Sequence, residues 1–226
     1  MTALHLAVFD VDGTLVDSQA AILAAMAAAF AERGAAMPPR EAVLGIVGLS
    51  LPMAIARLVP EAEPGEVEAL AAAYRTAFLA GAAEGPPPLY PGARAALEAL
   101  AGQPGLLLGI ATGKSRRGLA AMLAGHGLTE LFVTSQTADD HPSKPHPAML
   151  EAALRETGTA AASAAMIGDT SFDVDMARAA GIPALAVAWG YHPAAALAHA
   201  DAVVAHMAEL PAALDRLWGR TPALQP

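Results

Sequence analysis

Three observations predict an α/β fold: a Rossmann-like parallel sheet core in three α/β/α layers, with an all-helical cap domain inserted near its start. From about residue 92 onward, short apolar runs alternate with amphipathic stretches, the rhythm of a parallel sheet covered by helices on both faces. The block between the first apolar run and Gly85 breaks that rhythm, because it carries helical patterning and no strand signal. Polar clusters of Asp, Thr and Lys follow the apolar runs, and parallel strands deliver their C-terminal ends to one common edge.

Taken in order, residues 4–9 mix β-branched and aromatic side chains and end in Asp10-Val11-Asp12-Gly13-Thr14. That pattern predicts a buried strand feeding a tight loop. Asp17 and Ser18 then read as turn and N-cap of a helix that runs to about residue 33 and stops at Gly34. Helical stretches follow at 40–47, 51–59 and 64–80, punctuated by Pro38-Pro39, Gly48 and Pro60. Gly85-Pro86-Pro87-Pro88 predicts a stiff, extended exit. The division expected is a hydrolase core of residues 1–16 and 86–226, interrupted by a helical cap of residues 17–85. Within the core, helices are predicted at 92–101, 115–125, 146–157, 172–180 and 208–218. Strands are predicted at 106–111, 131–134, 164–167, 184–187 and 202–204. The last six residues, TPALQP, read as a frayed tail.

A chain of 226 residues can hold one domain with a sizeable core and a modest insertion. Its 55% hydrophobic content and mean hydropathy of +0.42 rest largely on alanine. No run of about 18 strongly apolar residues escapes a charge, Gly or Pro, so a membrane span is not expected. The opening MTALHLAVFD has no basic segment and reaches Asp10 too early for a signal peptide. The absence of cysteine excludes a disulfide framework and a thiolate zinc site, and fits a cytoplasmic protein. With 22 acidic against 13 basic residues, a net charge of −9 and no basic run, nucleic acid and anionic membranes are unsuitable partners.

Four clusters carry chemistry: Asp10 to Thr14, then Thr112-Gly113-Lys114, then Ser143-Lys144-Pro145, then Gly168-Asp169-Thr170 with Asp173 beyond. Aspartates are hard oxygen donors suited to magnesium. Lys144 adds a fixed positive charge, Thr112 a hydroxyl, and Gly113 an unshielded backbone N–H. Two unit charges of like sign about 4 Å apart repel by about 4 kcal/mol at an effective dielectric of 20. Several carboxylates meeting a phosphate therefore require a cation and a lysine beside them. Phosphoryl transfer is the chemistry such a set suits, since the protein there supplies mostly positioning and charge neutralisation.

FDVDGTLVDS, ATGKS, SKPHP and IGDTSFDVDMARAAG resemble the four ordered motifs of the haloacid dehalogenase-like hydrolase superfamily. The resemblance is closest to its phosphoglycolate phosphatase-like branch, which carries a helical cap between the first and second motifs. It implies that Asp10 is the nucleophile and forms an aspartyl-phosphate, and that Asp12 is the general acid/base. It further implies that Asp10, the Asp12 backbone carbonyl and Asp169 hold Mg2+. Thr112, Gly113 and Lys144 would bind the phosphoryl group, with Asp173 behind them orienting Lys144 or a water. The implied partner is a small phosphorylated metabolite, 2-phosphoglycolate being the first candidate, and the chain would act as a monomer or homodimer.

A sugar phosphomutase of the β-phosphoglucomutase kind uses the same core and stays open as an alternative. A phosphonate-cleaving enzyme wants a cap lysine, and residues 18–85 contain none. Dehalogenation has no use for Asp12. A response-regulator receiver carries its phosphoacceptor after a middle strand and has no helical insertion. His192, His199 and His206 recur every seven residues, but Pro193 and a strand signal at Val203-Val204 interrupt any helix through them, so they are expected at incidental surface positions. His141 and His146 flank Lys144 and are expected to face solvent. The loop Gly45-Ile46-Val47-Gly48-Leu49-Ser50-Leu51 is the cap segment expected over the site. It offers no partner for a substrate carboxylate, and Arg57 and Arg75 are as well suited to an exposed helix surface.

Overall fold

The run His5–Phe9 forms the central strand β1, and its period-two alternation divides the core between two faces. Ala7 and Phe9 pack into one cluster with Leu108, Ile110, Leu97 and Leu214. Leu6 and Val8 pack into the other with Met149, Leu150, Val174 and Met176. A strand apolar on both faces belongs in the middle of a helix-covered parallel sheet, and β1 sits there. The computed structural model describes residues 4–81 and 85–220. It pairs β1 with β2 (Leu106–Thr112), β3 (Thr134–Thr137), β4 (Ala164–Gly168), β5 (Ala184–Val187) and β6 (Ala202–Val204) in the order β3-β2-β1-β4-β5-β6. Every pairing in the sheet is parallel. The chain leaves β1 toward β2 and β3, then returns to lay β4 on the other side of β1. That reversal is a topological switch point, whose crevice lies at the C-terminal ends of β1 and β4.

Between β1 and β2 the chain forms α1 (Gln19–Glu32), α2 (Arg40–Leu44), α3 (Leu51–Leu58) and α4 (Pro64–Gly81) before α5 (Ala93–Ala101) packs on the sheet. Ile22, Met26, Phe30, Val43, Ile55 and Leu70 bury one another in a cluster of their own. Entry and exit run side by side, with Asp17 N–H donating to the Pro88 carbonyl (2.9 Å) and an antiparallel bridge between Val16 and Leu89. The remaining helices are α6 (Arg116–Gly125), α7 (Ala148–Thr157), α8 (Ser171–Ala179) and α9 (Leu210–Leu217). Among the described residues, no helix is long and apolar enough to cross a membrane.

Two expectations need correction. The third strand lies at Thr134–Thr137 rather than 131–134, and Leu131 ends a short 3-10 turn. Its residues Thr-Ser-Gln-Thr lack an apolar signal because three of them bury polar groups: Thr134 Oγ1 and Gln136 Nε2 both donate to Glu156 Oε2, at 2.5 and 2.8 Å, and Thr137 Oγ1 donates to Asp140 Oδ2 at 3.1 Å. Ser18 begins α1 but makes no side-chain cap. Its hydroxyl instead pairs with the Tyr191 hydroxyl at 3.0 Å. The expected frayed tail, residues 221–226, lies outside the described residues.

Candidate active site

β1 and β4 are hydrogen-bonded neighbours, so Asp10 and Asp169, each directly after its strand, meet at the switch point. Both are fully buried. The loop from Asp10 to Val16 turns back on itself through Gly13 (φ 85°), where a Cβ would collide with the Asp169 carboxylate. This close approach lets Thr14 Oγ1 donate to Asp169 Oδ1 at 2.9 Å. Tyr191 N–H, beyond β5, donates to Asp169 Oδ2 at 2.8 Å. Each oxygen of Asp169 therefore keeps a further lone pair.

Lys144 is entirely buried, with Nζ 2.6 Å from Asp173 Oδ1 and 3.0 Å from Asp10 Oδ1. The approach to Asp10 lies off a hydrogen-bond axis, so neither Asp10 oxygen has an aligned donor. Asp173 is saturated by comparison. Its Oδ2 accepts from Thr170 N–H (3.0 Å) and Thr170 Oγ1 (2.7 Å), forming a capping box at the start of α8. Burial pulls the Lys144 ammonium down, but Asp10 and Asp173 together raise it above the ordinary lysine value. Burial also pushes the Asp10 carboxyl up to about 7, against the pull of Lys144 and with help from Asp173. Asp169 is raised well above the carboxylate range by burial, then by Asp173 and Asp10. This is a charge imbalance: three buried carboxylates share one lysine.

A divalent cation would resolve that imbalance. Asp10, Asp169 and Asp173 each present an oxygen within 4.8 Å of the others, an all-oxygen donor set that suits a hard ion. Asp10 and Asp169 keep lone pairs for an ion, whereas Asp173 Oδ2 already accepts two hydrogen bonds and Oδ1 holds Lys144. The Asp12 carboxylate stands apart from this group. Lys114 Nζ holds it with two hydrogen bonds of 2.8 Å.

β2 ends in Thr112, buried with only 1% exposed, and Gly113 follows it under the insertion. A Cβ on Gly113 would lie 2.5 Å from the Leu49 carbonyl and 2.6 Å from that of Gly48. Backbone therefore meets backbone where the core touches the helices above it. Ser115 Oγ then accepts from Gly118 N–H at 3.2 Å and caps α6. Between these two layers lies a cavity of about 560 Å³ with Asp10, Asp12, Thr112 and Lys114 on its floor and residues of α1, α3, α4 and the 45–51 loop as its walls. The floor can present a nucleophile, a proton carrier and cationic charge to one phosphoryl group.

Comparison with known proteins agrees with this geometry. Residues 7–187 match the family model described as haloacid dehalogenase-like hydrolase. The chain belongs to the haloacid dehalogenase-like hydrolase family. It is similar to a probable phosphatase, IndB, of Dickeya dadantii, at 37% identity over 83% of this chain and 82% of the relative. A phosphoglycolate phosphatase of Yersinia pestis is 33% identical over 89% of both chains. Among solved structures, a haloacid dehalogenase-like family hydrolase from Streptococcus pneumoniae superposes with a TM-score of 0.81 at 28% identity, over 94% of this chain and 99% of that one. As a haloacid dehalogenase-like hydrolase in this company, the chain is an enzyme of the phosphatase class.

The structure brings Asp10, Asp12, Thr112, Gly113, Lys144, Asp169 and Asp173 to this one edge of the hydrolase fold. Sequence reasoning missed the partners. Lys114 stood in the second cluster with no role, yet it binds Asp12. Thr14 stood in the first cluster and holds Asp169. Tyr191 was unmarked, although its position after β5 on the same edge was a usable signal. His192 is no incidental surface residue. Its Nδ1 accepts from Ser171 N–H at 3.1 Å, and its Nε2 lies 3.2 Å from the Gly45 carbonyl, so it joins core to insertion. Nothing in the sequence marked that bridge. His141 faces Gln136 Oε1 at 2.7 Å, and Arg75 pairs with Glu68 at 3.0 Å. Arg57 lies over the Phe172 ring, 5.1 Å from its centroid.

Proposed function

We propose that this hydrolase is a magnesium-dependent phosphatase that cleaves a small phosphate monoester through an aspartyl-phosphate on Asp10. The observation that carries the reading is the Asp10 carboxylate, buried at the switch point, paired with Lys144 at 3.0 Å and opening onto the cavity floor. A buried carboxylate with one lysine beside it and a face on the cavity is positioned to bond substrate or metal. Helices α1 to α4 then act as a cap, covering the reaction and excluding water from it.

Asp10 Oδ attacks phosphorus, and the ester oxygen leaves as an alcohol with a proton from Asp12. Water next attacks the aspartyl-phosphate, gives its proton to Asp12, and releases phosphate with Asp10 regenerated. Asp12 must carry a proton when the alcohol departs, so the oxygen that bears it gives up its contact with Lys114 while the other oxygen keeps the lysine. Thr112 and the Gly113 N–H bind phosphoryl oxygens, and Lys144 balances charge on Asp10 and on the phosphoryl group. Asp173, saturated by Lys144 and Thr170, positions the lysine. Asp10, the Asp12 carbonyl and Asp169 would hold magnesium, which supplies neutralisation of the phosphate's negative charge. The cysteine-free chain suits a cytoplasmic setting.

Phosphate release from p-nitrophenyl phosphate tests this directly. Turnover should require magnesium, stop with EDTA, and fall at least about a thousandfold in Asp10→Asn. Activity that persists in either condition sinks the mechanism. 2-Phosphoglycolate belongs in the first substrate panel because relatives carry that name, and release of free phosphate separates hydrolysis from the mutase alternative.

A further inference from the structure

Resting on the phosphatase reading, we infer that the leaving group this enzyme selects is apolar: the body of its substrate is a hydrocarbon, aliphatic or aromatic, rather than a short carboxylic acid. The cavity of about 560 Å³ falls within the size range that encloses a drug-sized ligand. The phosphoryl group and a two-carbon acid fill only its floor. Above the floor the walls are Ile22, Met26, Val47, Leu49 and Phe78, with Leu79 at the mouth. Ile22, Met26, Val47 and Leu49 are each at most 7% exposed, so the wall is fixed by the packing of the insertion itself. Tyr74 joins them as a neutral surface, since burial and the Asp12 charge raise its hydroxyl far above the range in which it ionises.

The cations on the lining are committed or peripheral. Lys114 Nζ already balances Asp12 with two contacts of 2.8 Å and rests over the Phe78 ring, 5.2 Å from its centroid. Arg75 is half-exposed and bound to Glu68. Arg117 lies at the exposed start of α6. A carboxylate two bonds from the ester oxygen would have to sit deep in the cavity, where it loses water and finds no free partner. A methylene in the same place loses water to its advantage, by about fourfold in binding for each one buried.

Linear alkyl phosphates test this cleanly, because the basicity of the leaving alcohol hardly changes along the series. Under magnesium, kcat/KM should rise on the order of tenfold from ethyl phosphate to n-butyl phosphate. 2-Phosphoglycolate, in which a carboxylate replaces ethyl phosphate's terminal methyl, should be turned over no faster than ethyl phosphate. Leu79→Arg, at a side chain 44% exposed and so tolerant of change, should lower the butyl-to-glycolate ratio about tenfold. A flat alkyl series, a clear preference for 2-phosphoglycolate, or a ratio that Leu79→Arg leaves unmoved overturns the inference while the phosphatase reading stands. Failure to release phosphate from any of these esters, or from p-nitrophenyl phosphate, overturns both.

Discussion

The floor of the cavity and its walls are built on opposite principles. The floor carries Asp10, Asp12, Thr112 and Lys114, and Asp10 is backed by Lys144, Asp169 and Asp173, all three buried. The walls come from α1, α3, α4 and the 45–51 loop, and they are hydrocarbon almost throughout. In this buried group Asp10 and Asp169 follow the neighbouring strands β1 and β4, Lys144 sits in the loop before α7, and Asp173 in the first turn of α8. The insertion meets the core through few polar contacts, among them Ser50 N–H to Ser143 Oγ at 2.8 Å and the bridge through His192. A small apolar patch of Leu49, Ala54 and Phe172 completes the junction. Charge below and hydrocarbon above separate two tasks. The floor defines the reaction, and the walls define what is attached to the phosphate.

If that contrast is right, the floor should fail by electrostatics. Lys144→Met removes the one cation that touches both Asp10 and Asp173. Breaking a buried pair in this way costs about 3–5 kcal/mol, measured as a fall in the urea midpoint in EDTA with the slope unchanged. Adding Asp173→Asn should restore part of the loss, because it removes one of the carboxylates left unbalanced. A Lys144→Met protein as stable as the parent would show that the carboxylates repel less than their crowding implies.

The junction between floor and walls should fail by geometry instead. Gly113→Ala places a methyl against the Gly48 and Leu49 carbonyls, so the loop must lift by several tenths of an ångström or more. Thr112 and Lys144 keep their places, so urea stability should fall by little more than about 1 kcal/mol. Turnover of p-nitrophenyl phosphate should fall by about 10–100-fold, since misplacing a covering element by about 1 Å carries a cost of that order. Equal activity in the variant would mean that the loop does not press on the phosphoryl site.

The same contrast governs what could be read from sequence. The floor was legible because parallel topology sends every strand end to one edge, so Asp10, Thr112 and Asp169 needed only three strands placed correctly. The strand at 131–134 was misplaced because Thr134 and Gln136 bury polar side chains against Glu156, which conceals the apolar signal. Ser18 looked like a cap because its type is right for one, and only the fold brings Tyr191 to its hydroxyl. Lys114 and Asp12 are 102 residues apart in sequence, and a local pattern cannot announce such a pair. The contacts that seat the insertion are long-range and few, so the sequence carried its helices but not its docking.

The mildest test falls on that docking. His192 Nδ1 accepts from Ser171 N–H, so in the docked protein the ring is neutral and its Nε2–H donates to the Gly45 carbonyl. A proton on Nδ1 would face the Ser171 N–H and remove that hydrogen bond. Partial burial accordingly holds the His192 pKa below its ordinary 6.5. The groups facing the ring are Ser171, the Gly45 carbonyl and the edge-on Phe172 ring, 5.2 Å away, and the Asp173 charge and the Gly45 carbonyl oppose the effect of burial without reversing it. A base whose folded-state pKa is depressed contributes stability that is present above about pH 6.5 and is lost as pH falls below it. His192→Ala should therefore cost about 1 kcal/mol at pH 8, and less at pH 5.5, where the parent has already lost part of the same contribution. Denaturant titrations of both proteins at the two pH values measure the difference. A penalty that stays constant would mean that His192 acts through packing against Phe172 alone, and that the insertion is seated by shape rather than by a proton-sensitive bond.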